Sequence, residues 1–446
     1  MLHNIDDMNS YFSICSNKLF WMKEIFMHPN LSAAWKKCYF FETCSRNELL
    51  KVQDAKLKGL LFHAATTVPY YKNFFAEKGI LIDKLTLADF PIIEKKDIRG
   101  HEQEFVSKAK GLNKITWSRT SGSTGEPFRF GRSEFDYTYA TLWRGMLRYG
   151  IRPGDKRVLV KGVDDSASVS LKIKIKRWVY GVLNRCIVVD AHFLAKSNQN
   201  ILKEVFRIVK YKPVYIHGYA NSIYLLARTA EENGIALNKL NIKAVVTESE
   251  KCHDFQRELI GRVFNAPVVE NYGCVEFGMI AQPARDGLMC INEDHVVVES
   301  LNDGSAVFTN LDEYAFPLIR YKNGDELKLG DVHDQLPYRT INEISGRKTE
   351  TIKLPNGGSL HGFIPMYPIS KHVNWMTAYQ IYQPNIHILK IRIVPSREGF
   401  PQEIKTQIIS EMRTIVGNDM ALEFDFVDEI PLSKRGKRLF IVSDVV

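Results

Sequence analysis

Cysteine is scarce in this chain and never paired at short spacing: the seven, at positions 15, 38, 44, 186, 252, 274 and 290, form no CxxC. That excludes a disulfide framework and a zinc ribbon and fits a reducing compartment. No uninterrupted run of about 18 apolar residues occurs, so no membrane span is expected. The N-terminal MLHNIDDMNSYF lacks a basic stretch followed by an apolar core, so no secretory leader is expected and the cytoplasm is the expected location. Also missing are a Gly-Lys-Ser/Thr phosphate loop and any GxGxxG, which removes the P-loop NTPases and the dinucleotide folds. There are no internal repeats and no low-complexity tracts.

What remains is an ordinary globular composition, 446 residues with 45% hydrophobic and 25% charged. At roughly 150 residues per domain this predicts two or three well-developed cores. Lys and Arg exceed Asp and Glu by nine charges, a bias that favours anionic small molecules such as nucleotides, CoA or sugar phosphates. Nucleic acid is not an expected partner, because no basic tract carries interleaved aromatics at a groove-reading spacing. Oligomeric state is not legible.

Residues 1–112 read as mainly helical, with apolar clusters at Leu19, Phe20, Trp21, Ile25 and Phe26 and at Leu57, Leu60 and Leu61. From about 113 to 345, the runs RVLVKG, CIVVDA, KPVYIHG, KAVVTES and APVVENYG alternate with helical patterns. Such alternation predicts a layered α/β body whose ligands sit at the carboxyl ends of the strands. Beyond the turn signal PNGG at 355–358, strands HILKIRIV and ALEFDFV around the helix PQEIKTQIISEMRTIV predict a small α+β module. The expected division is a large domain 1–345 and a small one 346–446. Leu171, Ile175, Trp178, Val179 and Val182 form one helical stripe with Lys172, Lys174, Lys176 and Arg177 largely off it. The expected arrangement is a packed helix with a solvated basic face.

Five tracts carry chemistry. Thr120, Ser121, Gly122, Ser123, Thr124 and Gly125 interleave hydroxyls with glycines, so backbone N–H groups and side-chain donors can converge on phosphate. Tyr272-Gly273-Cys274-Val275-Glu276 follows an apolar run; it offers an aromatic ring for stacking, close backbone approach, and a hard oxygen ligand suited to Mg²⁺. Asp325, in Tyr321-Lys322-Asn323-Gly324-Asp325, has two oxygens able to accept paired hydroxyls. Arg347, in Gly346-Arg347-Lys348, presents a planar fork suited to phosphate or ribose oxygens. Lys437, in Pro431-Leu432-Ser433-Lys434-Arg435-Gly436-Lys437, brings a mobile ammonium near the chain end. Cys252, His253, Cys274, Cys290 and His295 tempt a zinc reading, but without paired ligand spacing they are expected to be buried cysteines and a surface histidine.

In order and spacing these tracts resemble the TSGSTGxP, YGxTE, YxTGD, GRxxDxIK and PxTxxGK motifs of the adenylate-forming superfamily. His217-Gly218-Tyr219 and Thr247-Glu248-Ser249-Glu250 are most similar to its phenylacetate-CoA ligase branch, which includes the CapK-like proteins of polysaccharide biosynthesis. The resemblance implies an ATP-dependent ligase that joins a carboxylate to AMP, releases pyrophosphate, and passes the acyl group to a thiol, CoA, or to an amine. It implies Thr124, Glu276 and Lys437 as catalytic residues and Glu276 as the Mg²⁺ ligand. Thr120 to Gly125, Tyr272, Gly273, Asp325 and Arg347 would bind the nucleotide, and His217, Tyr219 and Glu250 the acyl group. It also implies a hinge near 345–350 about which the small domain turns. Val275, Asn323 and Thr349 depart from the family pattern. They are what supports the other reading, a non-catalytic nucleotide-binding partner with the same fold.

Overall fold

The computed structural model describes residues 14–445 apart from 113–114, 120–128, 134, 163–170, 348–350, 362, 397 and 433–437. A hairpin of β1 (Thr116–Arg119) and β2 (Arg129–Arg132) leads into a sheet of eleven strands. Its parallel half comprises β3 (Arg157–Lys161), β4 (Cys186–Asp190), β5 (Tyr215–Gly218), β6 (Ala244–Glu248) and β7 (Val268–Cys274), laid out in the order β4-β3-β5-β6-β7. These are the five apolar runs read from the sequence. Strands covered on both faces need no polar alternation, which is why they read as continuous apolar tracts.

From β7 the sheet continues antiparallel through β8 (Gly278–Pro283), β9 (Met289–Ile291), β10 (Val296–Ser300), β11 (Ser305–Asn310), β12 (Tyr321–Val332) and β13 (Arg339–Arg347). The order there is β8-β9-β13-β12-β11-β10. Helices Asn198–Tyr211, Ala220–Glu232 and Asp254–Phe264 cover one face of the parallel half, burying Val158, Val160, Ile216 and Val245. Helix Asp136–Arg148 and the N-terminal helices cover the other, over Tyr215, Val246 and Val269. The long helix Arg46–Thr67 starts at a reciprocal cap, in which Ser45 and Glu48 satisfy each other's backbone N–H groups. It packs on the antiparallel half against Ile280, Phe308 and Phe316.

The remaining strands are a short pair, β14 (Thr351–Lys353) and β15 (Ser359–His361), and a sheet of β16 (Met376–Asn385), β17 (Ile388–Pro395), β18 (Ala421–Phe426) and β19 (Ile441–Ser443) in the order β18-β17-β16-β19. Helix Gln402–Val416 packs on it through Ile408 and Met412, giving this part its own core. Strands β17 and β18 and this helix are those read from the sequence. Strand β16, TAYQIYQ, carries too many polar residues to announce itself; its buried glutamines are satisfied instead by the carbonyls of Leu439, for Gln380, and Lys353, for Gln383.

The stripe on helix Leu171–Leu183 is a correction. Ile175, Trp178, Val179 and Val182 are exposed, Trp178 by 69%. The helix seats instead through Gly181, where a Cβ would come within 2.9 Å of the carbonyl of Cys186. The expected surface histidine is corrected too: His253 and His295 are both buried. No group of three or more possible metal ligands occurs among the described residues.

Candidate active site

Two tracts more than fifty residues apart in sequence meet where the parallel half of the sheet gives way to the antiparallel half. Strand β7 delivers Tyr272, whose hydroxyl donates to Asp325 Oδ2 at 2.8 Å. Asn323 donates its side-chain amide to the same oxygen at 2.7 Å and accepts the backbone N–H of Asp325 at 2.8 Å. Asn323 therefore puts an amide donor on the carboxylate where the YxTGD motif that this tract resembles has a threonine hydroxyl. In the β12–β13 ladder Asp325 stands opposite Arg347, so two residues expected to meet the nucleotide are cross-strand neighbours.

Glu276, just past β7, is buried and accepts from the Tyr321 hydroxyl at 3.3 Å. Burial, with the carboxylates of Glu276 and Asp325 close by, pushes the Cys274 thiol well above its usual pKa; burial and Asp325 do the same to Tyr272. Both therefore act as neutral hydrogen-bonding groups near pH 7. Such a donor set suits a magnesium nucleotide: Glu276 has hard oxygens for the metal, and Asp325 is held for hydroxyls. Gly273 is required by packing, since a Cβ there would lie 2.1 Å from the carbonyl of Gly278 on the partner strand. His295 braces this corner, its ring contacting Asp312 at 2.6 Å and the carbonyl of Phe277 at 3.0 Å.

At the carboxyl ends of β5, β6 and β7 a second group lies on the face covered by helix Asp136–Arg148. His217 is in register with Val246, and Glu248 with Asn271, so alternation puts His217, Glu248 and Asn271 on one face. His217 Nε2 lies 2.9 Å from Glu248 Oε2 without hydrogen-bond alignment, and neither atom of the Asn271 amide has a partner among the described residues. Both are buried. Glu248 and Asn271 lie in or beside tracts quoted from the sequence but were given no role there. A polar residue two places after buried Val269, on an otherwise apolar strand face, was the available signal. Tyr219 continues from β5 after Gly218, where φ is +147° and a Cβ would meet the carbonyl of Val160 at 1.9 Å. Glu250 accepts the backbone N–H of Asn221 at 2.7 Å, at the start of the helix that Tyr219 leads into.

The C-terminal part reaches this rim. Arg438 is buried; burial pulls its pKa below the usual value while the charge of Glu250 opposes. Arg228, on helix Ala220–Glu232, donates to the carbonyls of Val373 at 3.1 Å and Met376 at 2.6 Å. His253 stacks on Phe255 and meets Phe440 edge-on, with centroids 6.0 and 5.2 Å away. Thr120 to Gly125 and Lys437 lie outside the described residues, as does the Arg347 side chain.

Burial, with Lys251 adding to it, lowers the His253 pKa from 6.5 to about 4. Because the unfolded state binds the proton more tightly, stability is complete above pH 6.5 and falls as pH drops from 6.5 toward 4, by up to about 3 kcal/mol. Denaturant titrations across that range are expected to show this slope in the native chain and a shallower one in His253→Gln.

A family model described as the CapK C-terminal domain matches residues 357–444. The chain is 25% identical over 425 residues to Protein CapK of Staphylococcus aureus, covering 91% of this chain and 93% of that one. It is 27% identical over 333 residues to phenylacetate-coenzyme A ligase of Pseudomonas putida, covering 70% and 73%. Among solved structures, 2-hydroxyisobutyryl-CoA ligase in the postadenylation state with 2-HIB-AMP superposes with a TM-score of 0.70 at 18% identity, covering 90% of this chain and 91% of that one. The same ligase in its thioesterification state, with 2-HIB-AMP and CoA, superposes with a TM-score of 0.55 at 19% identity, again covering 90% and 91%. The fold is that of the adenylate-forming CoA ligases.

Proposed function

We propose, for a chain with the adenylate-forming fold and with CapK and the phenylacetate-CoA ligases as its sequence relatives, an ATP-dependent carboxylate ligase acting in two steps. A carboxylate is a poor electrophile. Attack of its oxygen on the α-phosphate of ATP, with pyrophosphate leaving, makes an acyl-adenylate whose carbonyl a second nucleophile can reach. A thiol or amine then attacks that carbonyl, loses its proton, and displaces AMP. The observation that carries this reading is the Asp325 carboxylate, oriented by Tyr272 and Asn323 beside Glu276 at the carboxyl end of β7.

In this reading Asp325 accepts the ribose hydroxyls, the backbone at Gly273 lies against the nucleotide, and Thr120 to Gly125 cradle its phosphates. Mg²⁺, held through Glu276, would offset phosphate charge. Residues 346–446 act as the small mobile domain. Arg438, the residue after Lys437, is buried within the electrostatic influence of Glu250, which favours delivery of Lys437 to the same rim. The better superposition on a postadenylation state than on a thioesterification state supports a small domain set for the first step. The CapK likeness favours an acceptor in surface-polysaccharide assembly, CoA or an amine, and a cytoplasmic site of action.

His217, Glu248 and Asn271 make the acyl subsite polar. A buried amide without a partner costs on the order of 1–3 kcal/mol unless a ligand satisfies it. Acids bearing a hydroxyl or amino group are therefore expected to support ATP–pyrophosphate exchange about 10- to 100-fold better than their deoxy isosteres. Lactate and alanine against propionate, with phenylacetate as the aromatic comparison, test this, and Asn271→Leu is expected to narrow the gap. Exchange with phenylacetate alone would refute the polar subsite; no exchange with any acid would refute the ligase and favour a non-catalytic partner.

A further inference from the structure

Helices Lys18–Met27 and Leu171–Leu183 lie side by side, joined where Lys23 Nζ donates to Asn184 Oδ1 at 2.8 Å. Each exposes a stripe of large apolar side chains at helical spacing. On the first, Leu19, Met22 and Phe26 are outward, Phe26 by 84%; on the second, Ile175, Trp178, Val179 and Val182 are outward. Side chains at i, i+3, i+4 and i+7 form one continuous strip, and soluble monomers rarely leave such surfaces uncovered.

Apart from Glu24, the charged residues of the two helices are basic. Helix Leu171–Leu183 contains Lys172, Lys174, Lys176 and Arg177 and no acid. The single acid of helix Lys18–Met27, Glu24, is buried and paired with Lys23. A second copy docked face to face would set these lysines against themselves, which like-charge repulsion disfavours. Exposed tryptophan and aliphatic side chains on a helix whose charged residues are all basic suit the boundary between lipid headgroups and acyl chains.

We propose that these two helices form a membrane-surface docking patch whose partner is an anionic phospholipid bilayer. The apolar strips enter the interface and the lysines meet headgroup phosphates. No helix among the described residues is long and apolar enough to cross a membrane, so the attachment is peripheral.

Flotation of the full-length protein with phosphatidylcholine vesicles, with and without phosphatidylglycerol, tests the patch. Binding is expected only with phosphatidylglycerol and is expected to weaken as salt is raised. Trp178→Ser with Ile175→Ser is expected to lower it at least about tenfold. Lys172→Gln, Lys174→Gln and Lys176→Gln are each expected to lower it about fivefold and to flatten the salt dependence. Thermal midpoints should match the native protein, since the substituted serines replace exposed side chains. The proposal is overturned if the native protein ignores anionic vesicles, if binding survives both sets of substitutions, or if the native chain is a dimer that Trp178→Ser dissociates.

Discussion

Asp294→Ala is expected to destabilise the protein by about 3–5 kcal/mol. Its carboxylate takes a two-pronged contact from Arg144, at 2.9 and 2.8 Å, and a hydrogen bond from the Tyr137 hydroxyl. Arg144 also donates to Asn292 Oδ1 and to the carbonyl of Cys38, both at 2.9 Å, and both charges are fully buried. Removing one partner strands a guanidinium in a medium that cannot solvate it. Replacing both, as in Arg144→Met with Asp294→Leu, is expected to recover much of the loss, because two apolar side chains carry no desolvation penalty. Denaturant titration of the single and double variants by tryptophan fluorescence measures both. The pH dependence has a defined sign. Burial raises the Asp294 pKa, but Arg144, Lys56 and Tyr137 outweigh it and hold the carboxyl below 3.8. The stabilisation is therefore complete above the unfolded value of 3.8 and is lost only as pH falls below it.

Lys437→Ala is expected to lower carboxylate-dependent ATP–pyrophosphate exchange by roughly 10²–10³-fold, the usual loss when one preorganised charge is removed from developing negative charge. Transfer of the acyl group from a supplied acyl-adenylate should change far less, since in the proposed two-step cycle the small domain turns before the second step and withdraws Lys437 from the α-phosphate. The position of Arg438 predicts which step fails: the residue after Lys437 is buried within the electrostatic influence of Glu250, at the rim where the strands end. Equal loss in both steps would place Lys437 in nucleotide binding. Loss in neither would remove it from the mechanism.

The five parallel strands were legible because double-sided burial writes them as apolar runs, and helix Gln402–Val416 because its period is regular. The five motif tracts were legible as residue types suited to phosphate, metal and hydroxyl. Their meeting was not. That Asp325 lies against Tyr272 depends on β12 and β7 sharing one sheet across three intervening strands, a pairing no local pattern encodes.

Local sequence determined element type and the chemical inventory, since propensity, period and functional groups are properties of short segments. Tertiary structure decided which polar groups stand without partners, as at Asn271. It decided that Asn323 binds the carboxylate of Asp325. It also decided which stripe of a helix is buried. The Ile175–Val182 stripe has the pattern of a core face and lies outward, because Gly181 offers the close approach to β4 that the stripe itself cannot. Burial depends on what the rest of the chain brings alongside, and only the folded sheet supplies that.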